Sequence, residues 1–65
     1  MNRLKLTRLT KGKTQHQLMK ETGIYFATLS RIEREWVQPT EVQKVKISDA
    51  LGVTKDWLFP PKKKR

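Results

Sequence analysis

The chain has 65 residues and a mass of 7.7 kDa, room for one small domain with a thin core and no second domain. Fifteen Lys and Arg against six Asp and Glu give a net charge of +9, so a compact binding module with a polyanionic partner is expected. The lack of cysteine excludes disulfides and cysteine-based metal sites, and one His with six acids leaves little for a water-excluded catalytic centre, so no enzyme is expected.

Leu4, Leu6 and Leu9, interleaved with Arg3, Lys5, Arg8 and Lys11, predict a first helix over roughly residues 2–10, stopped at Lys11-Gly12-Lys13. Thr14-Gln15-His16-Gln17 reads as a capping box that opens a second helix, with Leu18 and Met19 on its buried face. Thr22-Gly23 closes it, glycine being free to take positive φ. Ile24 follows, then a third helix over Tyr25–Glu33. Leu29 and Ile32 form its buried side, and Phe26 joins them if it points inward.

Arg34 to Gln38 reads as a loop, since Pro39 cannot continue a helix ladder. Thr40-Glu41-Val42-Gln43 is a second capping box and starts a fourth helix carrying Val42, Val45, Ile47 and Leu51. Gly52 stops it. Thr54 caps a last short turn with Trp57, Leu58 and Phe59. No segment shows strand alternation with turn chemistry, and there is no internal repeat, so an all-α chain of five short helices is expected. Residues 60–65 carry four of the positive charges behind two prolines and are expected to form a disordered basic tail. They resemble a short nuclear-import signal, but a solvated tail is the preferred reading. The remaining 59 residues hold +5. The longest apolar run, Ile24–Ala27, spans four residues, so no membrane span is expected. Met1–Thr10 has no apolar signal core, so no signal peptide is expected and the protein is placed in the cytoplasm.

Two short helices meeting across Glu21-Thr22-Gly23-Ile24-Tyr25 have the geometry of a helix-turn-helix, whose second helix can be offered to a DNA major groove. Here the sequence resembles the lambda repressor and Cro-type family, also called the xenobiotic-response-element (XRE) type. The resemblance spans Arg3–Phe59. It is strongest at Thr14-Gln15, Leu18, Gly23-Ile24 and Thr28-Leu29-Ser30-Arg31-Ile32-Glu33, and it returns at Ala50-Leu51-Gly52-Val53 and Asp56-Trp57-Leu58.

The resemblance implies a compact five-helix bundle over residues 1–59, with the helix-turn-helix at about 14–33 and Leu4, Leu18, Ile24, Leu29, Ile32, Leu51 and Leu58 as core. It implies an ion pair between Arg8 and Glu33. It also implies a sequence-specific, double-stranded DNA-binding transcriptional regulator, a repressor of prokaryotic or phage type, associated with the nucleoid. The base-reading positions fall on Phe26, Ala27 and Arg31. Those near the DNA backbone fall on Gln15, Thr28 and Arg34, and the Tyr25 hydroxyl is either a further donor to a phosphate or simply exposed. Arg31 is the best direct reader, because its fork matches the O6 and N7 acceptors of guanine. Phe26 and Ala27 can only pack on thymine methyls or leave bases unread, and Phe26 as an ordinary core residue is nearly as good a reading.

Several residues depart from the family pattern. Met19 replaces a small Ala, Lys13 an apolar residue, Lys44 a leucine, and Tyr25 a Ser or Thr cap. Glu35 replaces a Gly, so the third helix is expected to run on toward Trp36. Trp36 itself reads as a core plug in preference to a DNA or partner contact. Lys44 and Lys46 read as solvated charges. His16 reads as a surface residue, with no metal site and no cofactor implied. A homodimer across two half-sites is allowed, with Trp57, Leu58, Phe59 and Val37 as candidate contacts or monomer core. The alternative reading is an antitoxin-type protein-interaction module, with a toxin or other protein partner and DNA binding secondary. A cationic membrane-surface peptide is disfavoured, because the basic residues spread over several capped helices.

Overall fold

The computed structural model describes residues 3–60. Its five helices run α1 (Arg3–Thr10), α2 (Gln15–Thr22), α3 (Phe26–Glu33), α4 (Glu41–Leu51) and α5 (Lys55–Leu58), with no strand among the described residues. The basic tail expected over 60–65 lies, from Pro61 onward, outside them.

Local chemistry sets the helix ends. Thr14 Oγ1 accepts the Gln17 N–H at 3.0 Å, but Gln17 does not reach back to the Thr14 N–H, so only half of the expected capping box forms. At α4 both halves form: Gln43 N–H donates to Thr40 Oγ1 at 3.1 Å and Thr40 N–H donates to Gln43 Oε1 at 3.0 Å. Thr54 caps α5 through the Trp57 N–H. Gly23 ends α2 with φ of 76°, and its N–H donates to the Met19 carbonyl at 2.8 Å, so the chain can turn straight into α3. Tyr25 stands at the start of α3 with no side-chain cap, and the helix begins one residue later than expected. The neighbouring Ile24 N–H is taken up by Thr22 Oγ1 at 3.1 Å.

The core is Leu4, Leu18, Ile24, Leu29, Ile32, Ile47, Leu51 and Leu58, with Met19, Ala50, Val53 and Phe59 packed against it. Each helix contributes at least one of these side chains, and α2 packs on both α3 and α4. On α1 only Leu4 is core; Leu6 and Leu9 are exposed. On α4 the buried stripe is Ile47, Ser48 and Leu51, which leaves Val42 and Val45 on the far side of the helix and exposed.

Polar ties fix the helices relative to one another. The buried Arg8 meets the buried Glu33 side-on, through two hydrogen bonds: Nε to Oε2 is 2.6 Å and Nη2 to Oε1 is 3.2 Å. Arg8 Nη1 also donates to the Lys13 carbonyl at 2.9 Å. One guanidinium thereby joins α1, the α1–α2 turn and the end of α3. Removing either charge strands the other in the interior, at a cost of about 3–5 kcal/mol. Lys13 does more than dilute the core: its half-buried ammonium donates to Glu21 at 2.6 Å and to the Ala50 carbonyl at 2.9 Å, tying the α1–α2 turn to α4. Lys44 is not simply solvated either, since it is half-buried and pairs with Glu41 at 3.3 Å. Arg3 closes the two ends of the domain, donating to the Trp57 carbonyl at 2.8 Å with its guanidinium over the indole.

Candidate nucleic-acid interface

Side chains project from α3 at about 100° per residue, so Ala27, Arg31 and Arg34 fall in one stripe opposite Leu29 and Ile32. Leu29 and Ile32 are in the core, whereas Arg31 and Arg34 are exposed and Ala27 is half-buried. Arg31 forms no ion pair with any described residue, and none of its five N–H donors is taken up by one. Thr28 is half-buried on one shoulder of this stripe.

Phe26 is on the other shoulder. It belongs neither to the core nor to the outward stripe: its ring stacks on His16 of α2 at 5.0 Å and meets Tyr25 at 4.8 Å. The three rings fill the corner between the start of α2 and the start of α3. His16 is therefore exposed but engaged. Ten residues separate the two stacked rings, so no periodicity within one helix signals the contact. Tyr25 is 62% exposed.

Gln15 opens α2 beside this corner. Its side-chain amide donates to Glu33 Oε1 at 3.1 Å, so it is half-buried and tied to the Arg8–Glu33 pair. The backbone N–H groups of Gln15 and His16 have no partner among the described residues, as is general in the first turn of a helix. An open groove of about 830 Å³ runs along this side, with Lys5, Gln15, His16, Ser30 and Arg34 among its walls. Four cations line it, Lys5, Arg8, Lys13 and Arg34, against the one carboxylate of Glu33; Arg8 is paired with Glu33 and Lys13 with Glu21. Sequence reasoning missed Ser30, which is half-buried in the groove wall; its place follows only from how α3 leans on α2.

The turn after α3 differs from expectation. The helix does not run on toward Trp36; it ends at Glu33, with Arg34 as its C-cap. Glu35 takes φ of 62°, the left-handed conformation that glycine adopts without strain. Its N–H donates to the Ile32 carbonyl at 3.0 Å, and the Trp36 N–H donates to the Arg31 carbonyl at 2.9 Å, the paired bonds of a Schellman end. Two new backbone bonds offset the strain of a Glu at that position. Trp36 is not a core plug: it is 67% exposed, and the Arg34 guanidinium lies 5.1 Å from the centre of its ring. Of the candidate dimer contacts, Leu58 is buried and Phe59 packs on the core, which leaves Trp57 and Val37 exposed.

Among the described residues no cluster of His, Cys, Asp and Glu could hold a metal ion, and no helix is long and apolar enough to cross a membrane. A glycine-turned helix pair, with the outer stripe of its second helix unpacked, makes this a helix-turn-helix protein. A family model described as Helix-turn-helix matches residues 4–58, most of the chain. The chain belongs to that family, the XRE or lambda repressor type, a family of DNA-binding domains, and it is a DNA-binding regulator of this kind acting on double-stranded DNA. No curated protein matches it.

Proposed function

We propose that the protein is a sequence-specific repressor that lays α3 in the major groove of its operator. The observation that carries this reading is the outward stripe of α3, with Arg31 exposed and unpaired beside a groove dominated by cations. Arg31 reads a guanine through a bidentate contact. Ala27 packs on a thymine methyl, and Phe26, held at the shoulder by His16, borders the same base step. Gln15, Tyr25, Thr28 and Arg34 meet phosphates. The free N–H groups at the start of α2 and the local positive field favour an anion there. Arg8 and Glu33 act at one remove, by holding α3 against α1.

Two copies of the domain bind two half-sites roughly 34 Å apart, with Trp57 and Val37 available between them. The domain occupies residues 1–59, and the positive charges of residues 62–65 add sequence-independent attraction to phosphates. A second reading, an antitoxin-type module that binds a protein and contacts DNA only secondarily, draws support from one observation: Trp36 and Trp57 are 67% and 47% exposed.

Selection of bound duplexes from a random pool at about 0.15 M salt separates the two readings. The proposal expects an enriched motif containing a G·C pair read by Arg31, with symmetry if two copies bind. A pool that stays random overturns it in favour of the protein-partner reading.

A further inference from the structure

The exposed ring of Trp36 has no role in the core, yet the chain is bent through a left-handed glutamate to bring it beside Arg34. We infer that Trp36 is a positioning residue for DNA binding: its indole face holds the Arg34 guanidinium over the basic groove, preset to meet a phosphate. The inference rests on the DNA-binding reading above and assigns to it a residue outside the helix-turn-helix.

Three observations converge on it. First, Arg34 is exposed and makes no ion pair with a described residue, so its long side chain would otherwise sample many rotamers and lose that freedom on binding. Contact with an aromatic face restricts it beforehand without using any of its N–H donors in an ion pair with a described residue. Second, Arg34 lines the same groove as Gln15, His16 and Ser30, so the side chain being restricted belongs to the groove that also holds the first turn of α2. Third, the backbone between the two side chains is rigid. The Arg34, Glu35 and Trp36 N–H groups donate to the carbonyls of Ser30, Ile32 and Arg31 at 3.0, 3.0 and 2.9 Å. The platform is thus clamped to the last turn of α3, the helix that carries the reader. A loop tryptophan with no such anchoring would not transmit its position to anything.

The test is a double-mutant cycle on the full chain, read by fluorescence anisotropy with a mixed-sequence duplex of about two helical turns, since phosphate contacts are independent of sequence. Trp36→Ala is expected to weaken binding about 2- to 5-fold, Trp36→Phe to restore most of the affinity, and the melting temperature of both to match wild type within error. Arg34→Ala is expected to flatten the log K against log salt slope by about 0.9, the loss of one phosphate contact. In the Arg34→Ala background, Trp36→Ala is expected to cost nothing more. An equal loss in both backgrounds means that the ring itself touches DNA, and overturns the positioning role. No loss from Trp36→Ala, in a wild-type chain that binds DNA, overturns it as well. A wild-type chain with no salt-dependent binding at all overturns the DNA-binding reading, and the inference with it.

Discussion

Glu35 and Arg31 show, within one helical turn, how differently single residues of this chain are constrained. Glu35 holds a backbone conformation that costs an L-residue about 1–2 kcal/mol, and it makes no compensating ion pair with a described residue. Glu35→Gly should therefore stabilise the domain by about 1 kcal/mol, and raise its melting temperature by about 4–8 °C in a thermal scan. An unchanged or lowered melting temperature would mean that the turn relaxes in solution. Arg31 is the opposite case, a helical residue with ordinary negative φ whose side chain has no partner among the described residues. Arg31→Ala should leave the melting temperature alone, weaken operator binding by about 1–3 kcal/mol and relax preference at one base pair, as read by a mutated-operator series. A loss spread evenly over all sequences would make Arg31 a phosphate contact instead. The pairing of Arg8 with Glu33 could be anticipated from the sequence through family resemblance. Trp36 could not: a tryptophan three residues before Pro39 looks like core until the φ of Glu35 turns it outward onto Arg34.

At the scale of the element, caps decide more than hydrophobic pattern does. All five helices are short, and isolated helices below about 12 residues are marginal, so each depends on its ends and on its packed stripe. The caps were legible because Thr14, Thr40 and Thr54 each stand three residues before the N–H that they accept. The stripe of α4 was not, because Val42 and Val45 look equivalent to Ile47 and Leu51 until the angle of α4 against α2 is known. The first turn of α4 also carries a charge cluster. Lys55 donates to Glu41 Oε1 at 2.9 Å, and Lys44 donates to Glu41 Oε2 at 3.3 Å. The hydrogen bond from Lys55, then that from Lys44, holds the Glu41 carboxyl below its ordinary value of 4.5. A lowered folded-state pKa contributes stability that is present above the unfolded value and lost as pH falls through the folded one. The urea midpoint of the wild type should therefore fall more steeply below pH 4.5 than that of Glu41→Gln. The effect should be small and should fade with added salt, because the group is exposed; parallel profiles would mean that the cluster contributes nothing. The same hydrogen bond raises the pKa of Lys55 above its ordinary 10.5, so its contribution persists at neutral pH and is lost only at strongly alkaline pH.

For the whole molecule, the proposed function divides the labour between a core that fixes α3 and a cationic side offered to phosphate. The core is eight side chains, and the ion pair of Arg8 with Glu33 sets the end of α3 against α1. Carboxylates on α4 and α5, Glu41, Asp49 and Asp56, stand away from the basic groove. An excess of cations on one side should make association strongly dependent on salt. Neutralising about six phosphates gives a log K against log salt slope near −5, measured by anisotropy between low and physiological salt. A slope near zero would leave the net charge of +9 unexplained by DNA. Presentation of α3 to the duplex is read most directly by NMR, by following backbone amide shifts while the full chain is titrated with the selected duplex. The largest changes should fall on Gln15, His16, Ala27, Thr28, Arg31 and Arg34, with Val42 and Val45 of α4 unmoved. Changes centred on α4 and α5, with α3 silent, would contradict the groove-binding role and put the binding surface on those two helices.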